Sequence, residues 1–248
     1  MNIVFAIAKR EINAYFQTVV GWLSLLGFSV ISGLAFSLII TDVNDPAYYG
    51  QVIDLNETII PAFFGTLSVF LLLLSPALGM RIFSEDFRQQ SFELLLSSPI
   101  SSAQIVLGKF FGALGYVLVM FLATAHFPAI LIWLGSPSIS ILLINYLAIF
   151  LLTGCFLSVG MLTSSCTKNQ LVALSLSFGL LLCLWFCGSL GEQYSGGLSE
   201  FVHYLSPLSH LEALSQGLIQ SKDIIYFVSF ITFFLFATTE RIEAYRWQ

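Results

Sequence analysis

Six stretches of this chain contain no Asp, Glu, Lys or Arg: Val19 to Ile40, Ile59 to Met80, Phe110 to Leu134, Ile139 to Leu162, Leu171 to Leu190 and Ile224 to Thr239. A helix rising ~1.5 Å per residue needs ~20 apolar residues to cross a ~30 Å hydrocarbon core. The first five stretches have 20 to 25 residues and meet that length; the sixth has 16. Its density of Phe227, Phe230, Ile231, Phe233 and Phe234 predicts insertion all the same, with local bilayer thinning taking up the mismatch. Of the 248 residues 57% are apolar and 9% charged, against ~25% charged in an average soluble domain. Too few ionisable groups remain to cover a water-facing surface, so the expected fold is an all-α integral membrane protein of six transmembrane helices in a single domain over residues 1–248.

The basic residues set the orientation. With the N-terminus in the cytosol, Lys9, Arg10, Arg81, Arg88, Lys109, Lys168, Arg241 and Arg246 fall on the inner side and Lys222 alone on the outer, eight of nine on one face. That is the positive-inside pattern. It also supports the count of six, because adding or removing one span inverts every later loop. Both termini are expected to be cytosolic. The run after Lys9 and Arg10 is too long for a signal-peptide core and lacks a small-residue cleavage pattern, so it is expected to stay in the protein.

Several segments outside the spans carry their own patterns. In residues 1–18, Val4, Ala8, Ile12 and Tyr15 share one helical face, with Lys9, Arg10, Asn13 and Gln17 roughly opposite. The reading is a helix along the inner interface, its apolar side in the acyl boundary and its basic pair towards headgroups, or a plain basic anchor for the first span. The first outer loop is acidic, with Asp42, Asp45, Asp54 and Glu57. The last, residues 191–223, has Leu198, Phe201, Val202 and Leu205 at helical spacing, a break at Ser206-Pro207, and Leu208, Leu211, Leu214 and Leu218 beyond it. Two short outer helices are implied, dipping into the leaflet or capping the spans. Cys155, Cys166, Cys183 and Cys187 lie in or beside apolar stretches without paired CxxC spacing, and read as small apolar fillers.

The longest inner loop, Arg81 to Lys109, is both charged and apolar. Phe83, Phe87, Leu94 and Leu95 at near-helical spacing, among Glu85, Asp86, Arg88 and Glu93, describe one or two short amphipathic helices leaving the membrane. Pro99 ends that element. Ser101 followed by Gln104 has the form of a capping box that starts the helix leading into the third span. His126, two residues before Pro128, lies well inside a span; it reads as a neutral side chain bonded to a backbone carbonyl freed by the proline, with a functional role as the alternative. Gly108 and Gly112 form a GxxxG, which serves helix packing within one subunit or between two.

Glu85-Asp86, Glu93-Leu94-Leu95-Leu96, Pro99-Ile100-Ser101 and Gly108-Lys109 follow the order of a motif in which acidic residues, a Gly-Thr, Glu-x-Leu-Leu, a Pro and a Gly-Lys succeed one another. Gln90-Ser91 stands where the motif has Gly-Thr. On these residues the chain resembles the permease subunits of type-2 ABC exporters, most of all the gliding-motility type. Ala8 to Ile12 and the run Leu205 to Glu212, with Gln216 to Ile219 and Lys222 to Phe227, are similar to the same subgroup, so the resemblance spans nearly the whole chain.

The resemblance implies a transport subunit of a bacterial inner membrane, not an enzyme, working beside a second permease copy or paralogue and a separate ABC ATPase. No GxxxxGK[ST] loop occurs in the sequence, so ATP and Mg would be bound by the partner and this chain needs no cofactor or metal of its own. A motor that closes in the cytosol must push on something attached to the spans, and the inner amphipathic segment is the available lever. The expected ATPase-coupling residues are Glu85, Asp86, Phe87, Arg88, Glu93, Leu94, Leu95 and Pro99. Phe87 and the Leu94 to Leu96 run would be apolar anchors, and Glu85, Asp86, Arg88 and Glu93 rim pairs worth ~0–1 kcal/mol each. An ion-coupled carrier or a channel is the alternative; the spans lack the midplane charges and inverted repeat that a carrier uses. Nothing in the charge distribution points to nucleic acid.

Overall fold

Glycine spacing on one helix decides how the N-terminal segment sits. The computed structural model describes residues 3–43, 55–88, 100–135, 137–193, 202–217 and 219–246. Helix α1 (Ile3–Gln17) packs most extensively on α5 (Ser102–Thr124). A Cβ on Gly108 would stand 2.7 Å from Ile7 Cβ, one on Gly112 2.9 Å from the Ala8 carbonyl oxygen, and one on Gly115 2.7 Å from Ile12 Cδ1. The three glycines therefore form a groove that admits α1 at close range. Ile7, Ala8 and Tyr15 are buried in it, while Ile3 and Phe5 stay exposed. The Ile7, Ala8 and Tyr15 side of α1 thus rests on protein. The GxxxG is spent within the subunit.

Six helices are long and apolar enough to cross a membrane: Val19–Thr41, Asn56–Arg88, Ser102–Trp133, Ile139–Ser165, Gln170–Gly188 and Ser221–Arg246. They correspond one for one to the six uncharged stretches, and no strand occurs among the described residues. The chain is an all-α integral membrane protein. In element terms they are α2 (Val19–Val43), α3 (Ile60–Gly79, entered by a π-turn at Leu55–Ile59) with α4 (Arg81–Arg88), α5 with α6 (His126–Gly135), α7 (Ile139–Ser165), α8 (Gln170–Gln193) and α10 (Ser221–Arg246). The sixth span is not short as a helix. α10 runs 26 residues, carrying its hydrogen-bonded backbone past Lys222 at one end and Glu240, Arg241 and Glu243 at the other.

Helix α7 is the hub of the bundle, packed on α3, α5, α8, α9 and α10. At its crossing with α3 the backbones touch: a Cβ on Gly79 would lie 2.8 Å from Gly160 Cα. Outward faces of α2 and α10, such as Leu26, Val30, Leu34, Phe233 and Phe236, are exposed, as lipid contact requires. The proline-marked break in the third span falls at Ala125, between α5 and α6, and His126 Nδ1 pairs with the Ala123 carbonyl at 2.9 Å. That carbonyl is one residue ahead of the one Pro128 leaves without its helical donor.

The segment between the fifth and sixth spans holds residues 202–205 in a helical turn and α9 (Pro207–Ser215). Ser206 separates them and caps α9 by accepting from the Leu208 N–H at 3.3 Å, with Pro207 in the first turn where no N–H is needed. Gly217, at φ +78°, ends the element in the left-handed region. α9 is clasped to α10 by a buried pair: His210 Nδ1 lies 2.7 Å from Asp223 Oδ1, and His210 Nε2 3.0 Å from the Tyr204 carbonyl.

Candidate functional site

Helix α4 is where the elements of one end converge. It begins after a break at Met80 and continues the line of α3, so the two together extend ~50 Å at 1.5 Å per residue, well beyond a ~30 Å core. Orphan N–H groups at a helix start need acceptors, and here they come from a distant helix. Ser164 Oγ on α7 accepts from the Phe83 N–H at 3.0 Å and the Ser84 N–H at 2.9 Å, and donates to the Met80 carbonyl at 2.9 Å. Ile82, Phe83, Ser84 and Phe87 are buried.

The charges of α4 are taken up inside the subunit. Lys109, with its side chain 2% exposed, places Nζ 2.8 Å from Asp86 Oδ2, 3.3 Å from Glu11 Oε2 and 2.6 Å from the Ile82 carbonyl oxygen, over the Phe83 ring at 5.3 Å. One ammonium therefore ties α1, α4 and α5 together. Nζ donates hydrogen bonds to Glu11 and to the Ile82 carbonyl and lies in ion-pair contact with Asp86, and such pairing is the condition under which a buried charge is tolerated. Glu85 meets Arg81 at 3.3 Å and Arg88 at 3.4 Å, and accepts from Gln170 Nε2 on α8 at 2.6 Å. Phe87 stacks against Tyr245 of α10 with centroids 5.0 Å apart. The Tyr15 hydroxyl of α1 donates to the Leu78 carbonyl at 3.3 Å. Burial, with the Glu11 carboxylate nearby, raises the ionisation of that phenol above its ordinary range, so it stays a neutral donor.

Of the residues expected to couple to a motor, Glu85, Asp86, Phe87 and Arg88 lie together on α4. Glu93, Leu94, Leu95 and Pro99 fall within 89–99, outside the described residues. Phe87, 7% exposed, faces the bundle. Glu85 and Asp86 likewise reach inward, whereas the Arg88 side chain is 63% exposed. Beyond the gap the chain returns at Ile100. Ser101 Oγ then accepts from the Gln104 N–H at 3.3 Å and Gln104 Oε1 from the Ser101 N–H at 3.2 Å, the reciprocal capping box expected there. Sequence reasoning missed Lys109, Glu11 and Ser164. Lys109 had entered only as one of the inner-side basic residues, yet a lone lysine abutting an apolar span, one position after a glycine that admits another helix, is a signal for a buried tie.

The same end gathers α1, α4, the start of α5, the α7–α8 link and the C-terminus of α10, and with them eight of the nine basic residues. Arg246 reaches the Ile100 carbonyl at 3.5 Å. At the opposite end Asn56 Oδ1 accepts from the Ser138 N–H at 2.8 Å and Asn145 donates to the Ser215 carbonyl at 3.1 Å. Basic residues thus gather at one end of the bundle, where α4 projects from the end of α3.

No curated protein matches the sequence. The family model described as ABC-2 family transporter protein matches residues 5–239, from the helix that docks in the glycine groove to the last turns of the sixth span. A six-span, all-helical membrane domain matched over that length belongs to the ABC-2 family of transporter proteins.

Proposed function

We propose that this chain is the permease subunit of an ATP-driven exporter of the gliding-motility type, embedded in a bacterial inner membrane with both termini in the cytosol and paired with a second permease. Family membership supports a transport subunit that works with a separate ABC ATPase, and in this reading ATP and Mg are bound by that partner. In this reading the ATPase grips the segment 89–99 through Leu94, Leu95 and Leu96, with Arg88 and Glu93 at the rim and Pro99 ending the gripped element. Glu85, Asp86 and Phe87 carry the other half of the task, fixing the root of that segment to the spans.

The observation that supports this division most is the tie at Lys109. A push on the segment arrives at α4 and at the start of α5 together, and the ammonium shared by Asp86 and Glu11 makes α1, α4 and α5 move as one body. A loosely attached loop would dissipate the same displacement.

The test is Leu94→Asp in a chain co-expressed with an ABC ATPase encoded beside it. The variant is expected to insert and purify as the parent does while retaining less than about a tenth of the bound ATPase, because a charge in an apolar anchor site costs more than the ~1.4 kcal/mol that corresponds to a tenfold loss. Undiminished ATPase binding by a correctly inserted variant overturns the assignment.

A further inference from the structure

Three span boundaries meet at one cleft. Thr18 precedes the second helix's first apolar residue, Arg81 follows the last of the next span, and Lys109 precedes Phe110 at the start of the third. All three line a cleft of about 610 Å³ between α1, α4 and α5. A cavity at the level where several apolar spans give way to charged segments lies at the headgroup layer of the bilayer. Its neighbours on the lipid side, Val19, Val20, Trp22 and Leu23, are exposed apolar residues at the start of α2, able to lie along acyl chains.

The charges of the cleft are balanced in number but not in pairing. Its lining holds three cations, Arg10, Arg81 and Lys109, and three carboxylates, Glu11, Glu85 and Asp86. Lys109 is shared by two carboxylates, so Glu11 has only a share of one cation. Glu85 is shared by Arg81 and Arg88, and Arg10 is exposed and, among the described residues, makes no ion pair or side-chain hydrogen bond, which leaves positive charge in excess elsewhere in the lining. The segment 89–99 adds only Glu93 to this tally. An anion alone satisfies half of such a surface, and a cation alone the other half.

We propose that the cleft binds the headgroup of a zwitterionic phospholipid bearing a primary ammonium, a phosphoethanolamine lipid of the surrounding leaflet. Its phosphate takes the unpaired Arg10 guanidinium, a planar fork suited to phosphate oxygens. Its ammonium, with three N–H donors, joins Lys109 in neutralising the Glu11 carboxylate. A choline headgroup has no N–H to donate, and a glycerol headgroup has no cation. The lipid wedged between α1, α4 and α5 is thereby a part of the body that Lys109 assembles. The inference needs only the membrane location of the chain and is independent of ATPase coupling.

The test uses the full-length permease without any ATPase, released from nanodiscs of equal parts phosphatidylethanolamine, phosphatidylcholine and phosphatidylglycerol, with retained lipid counted by native mass spectrometry. One charge-assisted hydrogen bond of ~1.5–3 kcal/mol corresponds to roughly a tenfold or greater preference. Phosphatidylethanolamine is expected to be retained by about that factor over the other two, and Arg10→Gln, on an exposed side chain, to abolish the preference. Equal retention of the three, a preference for phosphatidylglycerol, or a preference unaltered in Arg10→Gln overturns the proposal. Displacement of the bound lipid by soluble glycerophosphoethanolamine at equal concentration also overturns it, because the ligand is then a free headgroup and not a bilayer lipid. All of these outcomes leave the Leu94→Asp test untouched.

Discussion

Lys109 and Glu11 are 98 positions apart in the chain and 3.3 Å apart in the structure, on two helices that meet through a row of glycines. Their side chains are 2% and 13% exposed, so the pair is an interior one, and Asp86 completes it from α4. Removing one partner of a buried ion pair leaves an uncompensated charge and costs ~3–5 kcal/mol. Lys109→Met is therefore expected to lower the thermal unfolding midpoint of the detergent-solubilised chain strongly. The triple variant Lys109→Met with Glu11→Gln and Asp86→Asn is expected to recover most of the loss. If the single variant unfolds at the parent temperature, the tie is not structural.

The glycine groove gives a second, independent handle on the same body. A side chain at Gly112 would meet Glu11 Cβ at 2.5 Å and the Ala8 carbonyl oxygen at 2.9 Å, and backbone cannot yield as a flexible side chain can. Gly112→Leu is expected to expel α1 from α5, which hydrogen exchange would read as loss of protection across Ile3–Gln17 with the six spans still protected. Gly27→Ala is the matching control, since nothing lies within 4 Å of a Cβ there; it is expected to change stability by no more than ~1 kcal/mol, in the stabilising direction.

How legible this molecule is in its sequence differs by scale. Charge-free length alone locates all six spans, because a bilayer imposes it on every crossing helix. The capping box at Ser101 and Gln104 and the break at Ser206-Pro207 are equally visible, since each is a local rule written in adjacent residues. The contacts of α4 are not. Ser164 caps it from 80 and 81 positions away, and Lys109 joins it to α1 across two different helices. No local periodicity encodes such pairings, which depend on how α7 and α5 are rotated in the bundle. Phe87 is another such case: spacing shows its amphipathic position, but not that Tyr245, nearly at the other end of the chain, packs against it.

The far end of the bundle supplies a prediction with opposite logic. Both ring nitrogens of His210 face oxygen, Nδ1 towards Asp223 Oδ1 at 2.7 Å and Nε2 towards the Tyr204 carbonyl at 3.0 Å, with the Tyr226 ring stacked 4.0 Å away. A carbonyl can only accept, so Nε2 must donate, and Asp223, 1% exposed, has the imidazole as its one hydrogen-bonding partner side chain among the described residues. His210→Phe keeps the ring stack but leaves the carboxylate buried and unpaired, at a cost of ~3–5 kcal/mol. His210→Phe combined with Asp223→Leu replaces both polar partners by apolar ones of similar volume, which can be close to neutral. The thermal unfolding midpoint is therefore expected to fall sharply in the single variant and to return most of the way in the double one. A double variant as unstable as the single would mean that His210 holds α9 through Tyr204 alone, with Asp223 a bystander.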